Sequence, residues 1–136
     1  MRRNKLALQL MRELKISSPL ASARQREDGI IHEVYHAVKV NIQDLEAHIE
    51  ASRQAFGSTG YYISDIRQLK SVCQQSRKHL AHHSVAKASA LIVSSGFSTI
   101  VGNIFLKFNQ PDFASKLFTS EEKALAWIKE QQALDN

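Results

Sequence analysis

Cysteine is almost missing from this chain: Cys73 is the one thiol among 136 residues. A lone cysteine excludes an intrachain disulfide framework and fits a reducing compartment, so a cytoplasmic location is expected. No pattern of histidine plus acid surrounds Cys73 to activate it, and it reads as an inert, partly buried residue. Long apolar runs are missing too. None approaches the roughly 20 residues of a membrane-spanning helix, and no integral membrane association is expected. The amino terminus does not read as a signal peptide either. Met1-Arg-Arg-Asn-Lys5 is basic, but the stretch from Leu6 to Ile16 is broken by Gln9, Arg12, Glu13 and Lys15.

A basic footprint on the folded part is also lacking, although the net charge is +5. Five of the 18 basic and one of the 13 acidic side chains fall in residues 1–15, so that stretch carries +4 and the rest only +1. A domain that reads nucleic acid concentrates basic residues on one face, so no nucleic-acid partner is expected. What remains, 43% hydrophobic and 23% charged residues, is the mix of one globular domain.

Residues 1–16 read as a basic extension, helical or disordered. Leu6, Leu10 and Leu14, with Met11 beside them, share one helical face that could lie on an anionic membrane or dock on the domain. The plainer reading is a frayed terminus, or an early start codon ahead of Met11. Ser17-Ser-Pro19 breaks any helix, and the α/β domain is expected over 17–132, with a polar tail at 133–136.

The chain is organised around Ala90-Leu-Ile-Val93, an apolar run followed by Ser94, Ser95 and Gly96. A run apolar on both faces suits a central strand covered by helices on both sides. Strand, polar turn, then helix is where open α/β sheets tend to place ligands. Before it, Leu20 to Arg26, the turn Glu27-Asp-Gly29 and Ile30 to Tyr35 form a β-hairpin, and Val38 and Val40 extend its second strand or start a short third one. Asn41 caps a helix with Asp44 at its third position, Ile42, Leu45, Ile49 and Phe56 form its stripe, and Gly57 stops it. His48 on that helix reads as a surface residue. Tyr61 to Ile66 is the next strand, and Asp65 and Arg67 at its end either mark a site or pair with each other. A helix then runs to about Ala81.

His79, His82 and His83 are the one cluster resembling a metal site, since His79 and His83 lie one turn apart. The glutamate of an HExxH motif, a cysteine partner and an acidic third ligand are all lacking, so an exposed helix end is the expectation and no metal or cofactor is implied. After the central strand, Ser98 is expected to cap a helix to about Phe108 with Val101, Ile104, Phe105 and Phe108 inward, and Gly102 close to the sheet. Ser115 to Phe118 reads as an edge strand. Thr119 and Glu122 read as a capping box for a helix that turns Ala124, Leu125, Trp127 and Ile128 inward, with Trp127 a packing anchor.

Glu27-Asp-Gly-Ile-Ile-His32, the Asn41 helix start, Ser64-Asp-Ile-Arg67, Ala90-Leu-Ile-Val93 and Leu117-Phe-Thr-Ser-Glu-Glu-Lys-Ala-Leu-Ala-Trp127 together resemble one family. It comprises small bacterial proteins of the STAS-like type, common in Bacteroidetes and similar to anti-sigma-factor antagonists. The resemblance spans about residues 17–130. It implies a single STAS-like α/β domain with a mixed sheet of four or five strands, starting with a β-hairpin and flanked by about four helices. It also implies a binding or regulatory role without enzymatic activity. Anti-sigma antagonists carry a phosphorylatable serine in an Asp-Ser-Ser/Thr-Gly turn. The corresponding stretch here is Ser71-Val-Cys-Gln-Gln-Ser76, with Gln74 and Gln75 in place of the serines, so only partner binding carries over.

Three readings of function follow. The first is a non-enzymatic module that binds a protein partner, as a homodimer. The second is a carrier of a lipid or other small hydrophobic ligand between the sheet and the Phe97–Phe108 helix. The third, least favoured, is an enzyme using Asp65, Arg67 and a histidine, since no nucleophile–base pair is evident. The candidate interaction or ligand turn comprises Asp65, Arg67, Ser71, Gln74, Gln75, Ser94, Ser95 and Ser98.

Overall fold

The computed structural model describes residues 14–135 with the exception of Ser95. Most of the expected extension, including Leu6, Leu10 and Met11, therefore lies outside the described residues, as does Ser95 of the expected turn. The boundary drawn at Ser17 falls inside a strand, β1 (Lys15–Ser17), which pairs antiparallel with β2 (Ala21–Gln25). That pairing adds an edge strand and brings the main sheet to six.

β2 turns back into β3 (Ile31–Tyr35) in the expected hairpin. Gly29 takes φ +86 in the turn, a left-handed conformation in which a side chain would be strained, and the Asp28 carboxylate accepts the Ile30 N–H at 3.1 Å. The short β4 (Lys39–Val40) leads into α1 (Ile42–Phe56). Asn41 Oδ1 accepts the Asp44 N–H at 2.8 Å, as its sequence position predicts, and Gly57 closes the helix with its N–H on the Arg53 carbonyl. Then follow β5 (Gly60–Asp65), β6 (Ser71–Val72), α2 (Gln74–His83) and β7 (Ala86–Ile92). α3 (Phe97–Ile104) runs on into a wider π-helical turn (Phe105–Asn109), and β8 (Ala114–Phe118) and α4 (Glu121–Leu134) complete the domain.

The six strands lie in the order β1-β2-β3-β5-β7-β8, antiparallel up to β3 and parallel from there on. β4 and β6 make a separate parallel pair. Alternate residues of each strand enter different layers. On one face Ile30, Ile63, Ala88, Ala90 and Ile92 pack against Ala124 and Ile128 of α4. On the other, Ile31, Tyr35, Tyr62 and Leu91 pack with Leu45, Ile49, Ala81 and Phe105 from α1, α2 and the π turn after α3. β7 is thus buried on both faces, as its apolar run predicts.

Four expectations are corrected. α4 is capped by Ser120, not Thr119: β8 runs through Phe118, whose carbonyl accepts the Val93 N–H, and the Ser120 hydroxyl accepts the Lys123 N–H at 3.3 Å. Glu121 and Glu122 are left in the first turn, where they complement the helix dipole. Ser98 does not cap α3, because Gly96, at φ +96, already sits at the cap position. The Ser98 hydroxyl instead reaches back, accepting the Ser94 N–H at 2.9 Å. Phe108 is not inward but 79% exposed, since the wider π turn rotates it out of the stripe of Phe105. Trp127 is only half-buried, its ring tilted on Phe118 at 5.7 Å, so Ala124 and Ile128 anchor α4 instead. Gly102 does lie close to the sheet: an added Cβ would come 2.8 Å from Leu117 Cδ2.

Candidate functional site

The expected turn residues are only partly brought together. Arg67, Ser94 and Ser98 line one groove of about 340 Å³ beyond the carboxyl ends of β5 and β7, with Val38, Leu69 and Lys70. Asp65 lies buried beneath it and acts through Arg67. The guanidinium grips it in a fork, Nε to Oδ1 at 3.0 Å and Nη2 to Oδ2 at 2.6 Å, and the Arg67 backbone N–H adds a third bond at 3.1 Å. Burial alone would raise the Asp65 carboxyl, but these bonds hold it below its ordinary value. A carboxylate so occupied is a brace and not a base. The same Nη2 also reaches Glu121 Oε1 at 3.4 Å and ties the loop to the start of α4.

Ser71, Gln74 and Gln75 stand apart from that groove. Ser71 is exposed in β6, paired with Lys39, and both glutamines are exposed in the first turn of α2. The cap of α2 is Cys73, whose sulfur accepts the Ser76 N–H at 3.4 Å and lies 3.1 Å from the Ser76 hydroxyl. Those contacts, the Ser76 hydroxyl foremost, lower the thiol's pKa. Cys73 is exposed where a partly buried residue was expected, because a capping side chain sits at the solvent end of its helix. Ser76 is fully buried. The histidines at the far end of α2 are divided: His79 and His83 stack at 4.6 Å, while His82 Nδ1 lies 3.1 Å from Asp112 Oδ2. Among the described residues no group of three or more potential metal ligands forms.

The largest departure from expectation is under α1. His48 is not at the surface but 2% exposed, facing Glu33 of β3, itself 4% exposed. His48 Nε2 donates to Glu33 Oε2 at 2.7 Å, Ser64 Oγ donates to Glu33 Oε1 at 3.0 Å, and His48 Nδ1 lies 2.8 Å from Ser18 Oγ. Ser18 in turn accepts the Leu20 and Ala21 N–H groups, so the chain of bonds runs from the β1–β2 turn through α1 to β3 and β5. Buried polar groups persist only when they are paired, and this set pairs across four segments.

Beside it lies a cavity of about 90 Å³ between the sheet and α1, α2 and α3. Glu33, His48, Ser52, Tyr62 and Ser64 form its polar wall, and Leu45, Leu80, Val101 and Phe105 are among its apolar ones. The Ser52 and Tyr62 hydroxyls, both buried, are close enough for Ser52 to act on the phenol but make no hydrogen bond of good geometry. Burial, and after it the charge of Glu33, pushes the phenols of Tyr35 and Tyr62 well up.

The outer side of α3 forms a third feature. Ile100 is 54% and Phe108 79% exposed, with half-buried Ile104 between them at a spacing of four. Val38, at the rim of the groove, is 47% exposed.

A crystal structure of an uncharacterised protein of the DUF3478 family from Shewanella loihica PV-4, described as having a SpoIIAA-like fold, is similar to this chain. The two align with a TM-score of 0.56 at 17% identity, over 83% of this chain and 98% of that one. At that identity the likeness concerns the fold alone, and it supports the STAS-like architecture. No curated protein matches the sequence. A family model, described as a domain of unknown function (DUF7793), matches residues 25–132, from the end of β2 through most of α4, and the chain belongs to that family.

Proposed function

We propose that this protein is a non-enzymatic interaction module of the STAS-like type, binding a protein partner through the outer side of α3. The observation that carries the reading is the exposed apolar stripe of Ile100, Ile104 and Phe108. Large apolar side chains clustered on a surface mark interaction sites, whereas scattered ones do not. The same helix contributes Ser98 to the groove of Arg67 and Lys70, and a polar rim about an apolar centre is the usual anatomy of an interface. The resemblance to anti-sigma-factor antagonists points the same way, to a cytoplasmic partner or a second copy of this chain. Without a serine at the start of α2, and with Ser76 buried, binding needs no phosphorylation.

Carriage of a lipid is disfavoured by size. The cavity of about 90 Å³ falls well below the roughly 300 Å³ at which pockets for drug-sized ligands begin, and leaves no room for an acyl chain.

Native mass spectrometry of protein isolated from its own host tests the proposal. The expected result is a stoichiometric complex with one partner chain, lost on Phe108→Asp while the variant melts within about 2 °C of the wild type, as surface changes of under 0.5 kcal/mol do. A monomer carrying only a small adduct, or a complex indifferent to Phe108→Asp and Ile100→Asp, would overturn it.

A further inference from the structure

We infer that the cavity between the sheet and α1–α3 is a binding site for a compact, neutral molecule of about six to nine heavy atoms: an apolar body carrying one hydroxyl that bonds Ser52 and Tyr62. Size comes first. At roughly 10–15 Å³ for each water-sized sphere, about 90 Å³ holds roughly six to nine of them. That is room for a small ring or a branched short chain and not for an acyl tail.

Polarity comes second. Most of the lining is aliphatic or aromatic, so the body of the ligand is apolar. The polar end of the cavity is of two kinds. Glu33 is occupied by His48 and Ser64, and His48 by Glu33 and Ser18, so neither asks for a further partner. Ser52 and Tyr62 are 2% and 4% exposed respectively, and their hydroxyls make no bond of good geometry with any protein group. A buried hydroxyl without a well-formed hydrogen bond is destabilising, and a ligand hydroxyl meeting both would donate to one and accept from the other.

Charge comes third. Burial and the Glu33 carboxylate both hold the phenols at that end of the cavity in their neutral form, which disfavours an anion beside them, and Arg77, the one cation in the lining, is already occupied by the Val72 carbonyl and Asn109 Oδ1. A cation would have to leave water for a site whose one acid is already paired, a loss of hydration that nothing in the lining offsets. A neutral hydroxyl compound meets neither obstacle. The site is separate from the outer side of α3 and does not depend on the partner reading.

Phenol and fluorobenzene, nearly equal in size, serve as probes in a titration of the full chain followed by nitrogen–proton correlation spectra. The expected result is saturable one-to-one binding of phenol with shifts at β3, β5 and α1. Fluorobenzene should bind about tenfold more weakly, as the loss of one buried hydrogen bond predicts. Tyr62→Phe and Ser52→Ala should each bring phenol toward the fluorobenzene value. Absence of saturation by phenol, equal affinity for the two probes, or shifts confined to the groove of Arg67 would overturn the inference. Should a variant fail to fold, the two probes on the wild-type chain still decide it.

Discussion

Along β7 alternate residues look into two different interiors. Ala88, Ala90 and Ile92 meet Ala124 and Ile128 of α4 in an apolar cluster, and Ala at three of these positions lets the helix lie close to the strands. Ser89 and Leu91, one residue away, line a cavity whose opposite wall holds Glu33 and His48. The first layer is apolar where β7 meets α4, and the one buried carboxylate on that face, Asp65 at the end of β5, is paired by Arg67 at its edge. The second gives up packing density and takes on a buried hydrogen-bond network, which an interior meant only for stability would avoid. The contrast assigns scaffolding to the α4 face and specificity to the α1–α3 face.

Breaking the network should have the largest effect. Glu33→Ala leaves His48 and Ser64 facing an apolar void and is expected to cost about 3–5 kcal/mol in urea unfolding. Replacing both members, with Glu33→Leu and His48→Leu together, should recover most of that loss. If the single change cost under about 1 kcal/mol, the network would be incidental and the contrast between the faces would fail. On the α4 side, Ile128→Ala should cost about 2–5 kcal/mol by the ordinary cavity mechanism, and no second substitution of a polar partner should rescue it. A smaller and sharper effect is expected from pH. Tyr62 keeps its proton in the folded state above the ordinary 10.0, chiefly through burial, whereas the unfolded chain releases it near that value. The stabilising contribution is therefore complete below about pH 10 and lost as pH rises beyond it. Melting temperatures measured from pH 8 to 11 should fall steeply at the upper end, and less steeply for Tyr62→Phe. An identical fall in both would remove Tyr62 from the account.

Much of the fold was legible because its signals are local. The Asn41 cap, the Asp28-Gly29 turn and the Gly57 stop each act within a few residues, and all three stand where the sequence puts them. The capping of α4 slipped by one residue because two adjacent hydroxyls, Thr119 and Ser120, compete for it, and the length of β8 decides between them. The buried network was hidden by residue type alone. Leu45, His48, Ile49 and Ser52 follow helical spacing, and Ile31, Glu33 and Tyr35 alternate inward along β3, so periodicity already places His48 and Glu33 inside. What sequence does not convey is that the two meet, since 15 residues separate them and one lies on a helix and the other on a strand. The exposure of Phe108 was illegible for another reason. It depends on a π turn that widens the helix after Ile104, and periodicity counted at 3.6 residues carries Phe108 to the wrong side.

The order of the sheet also governs how fast the molecule can be made. Among the described strands, β1, β2 and β3 pair with neighbours adjacent in the chain, joining Ala21 to Tyr35 across a tight turn. Every later pairing is parallel and waits for a helix to be laid down first, as Ile31 must for Tyr62 and Ala88 for Ala114. Closing such loops costs entropy before any strand contact offsets it, which places refolding in the slower range of small domains. The hairpin should therefore protect its amide hydrogens early in refolding, with β7 and β8 acquiring protection together only as the whole sheet closes.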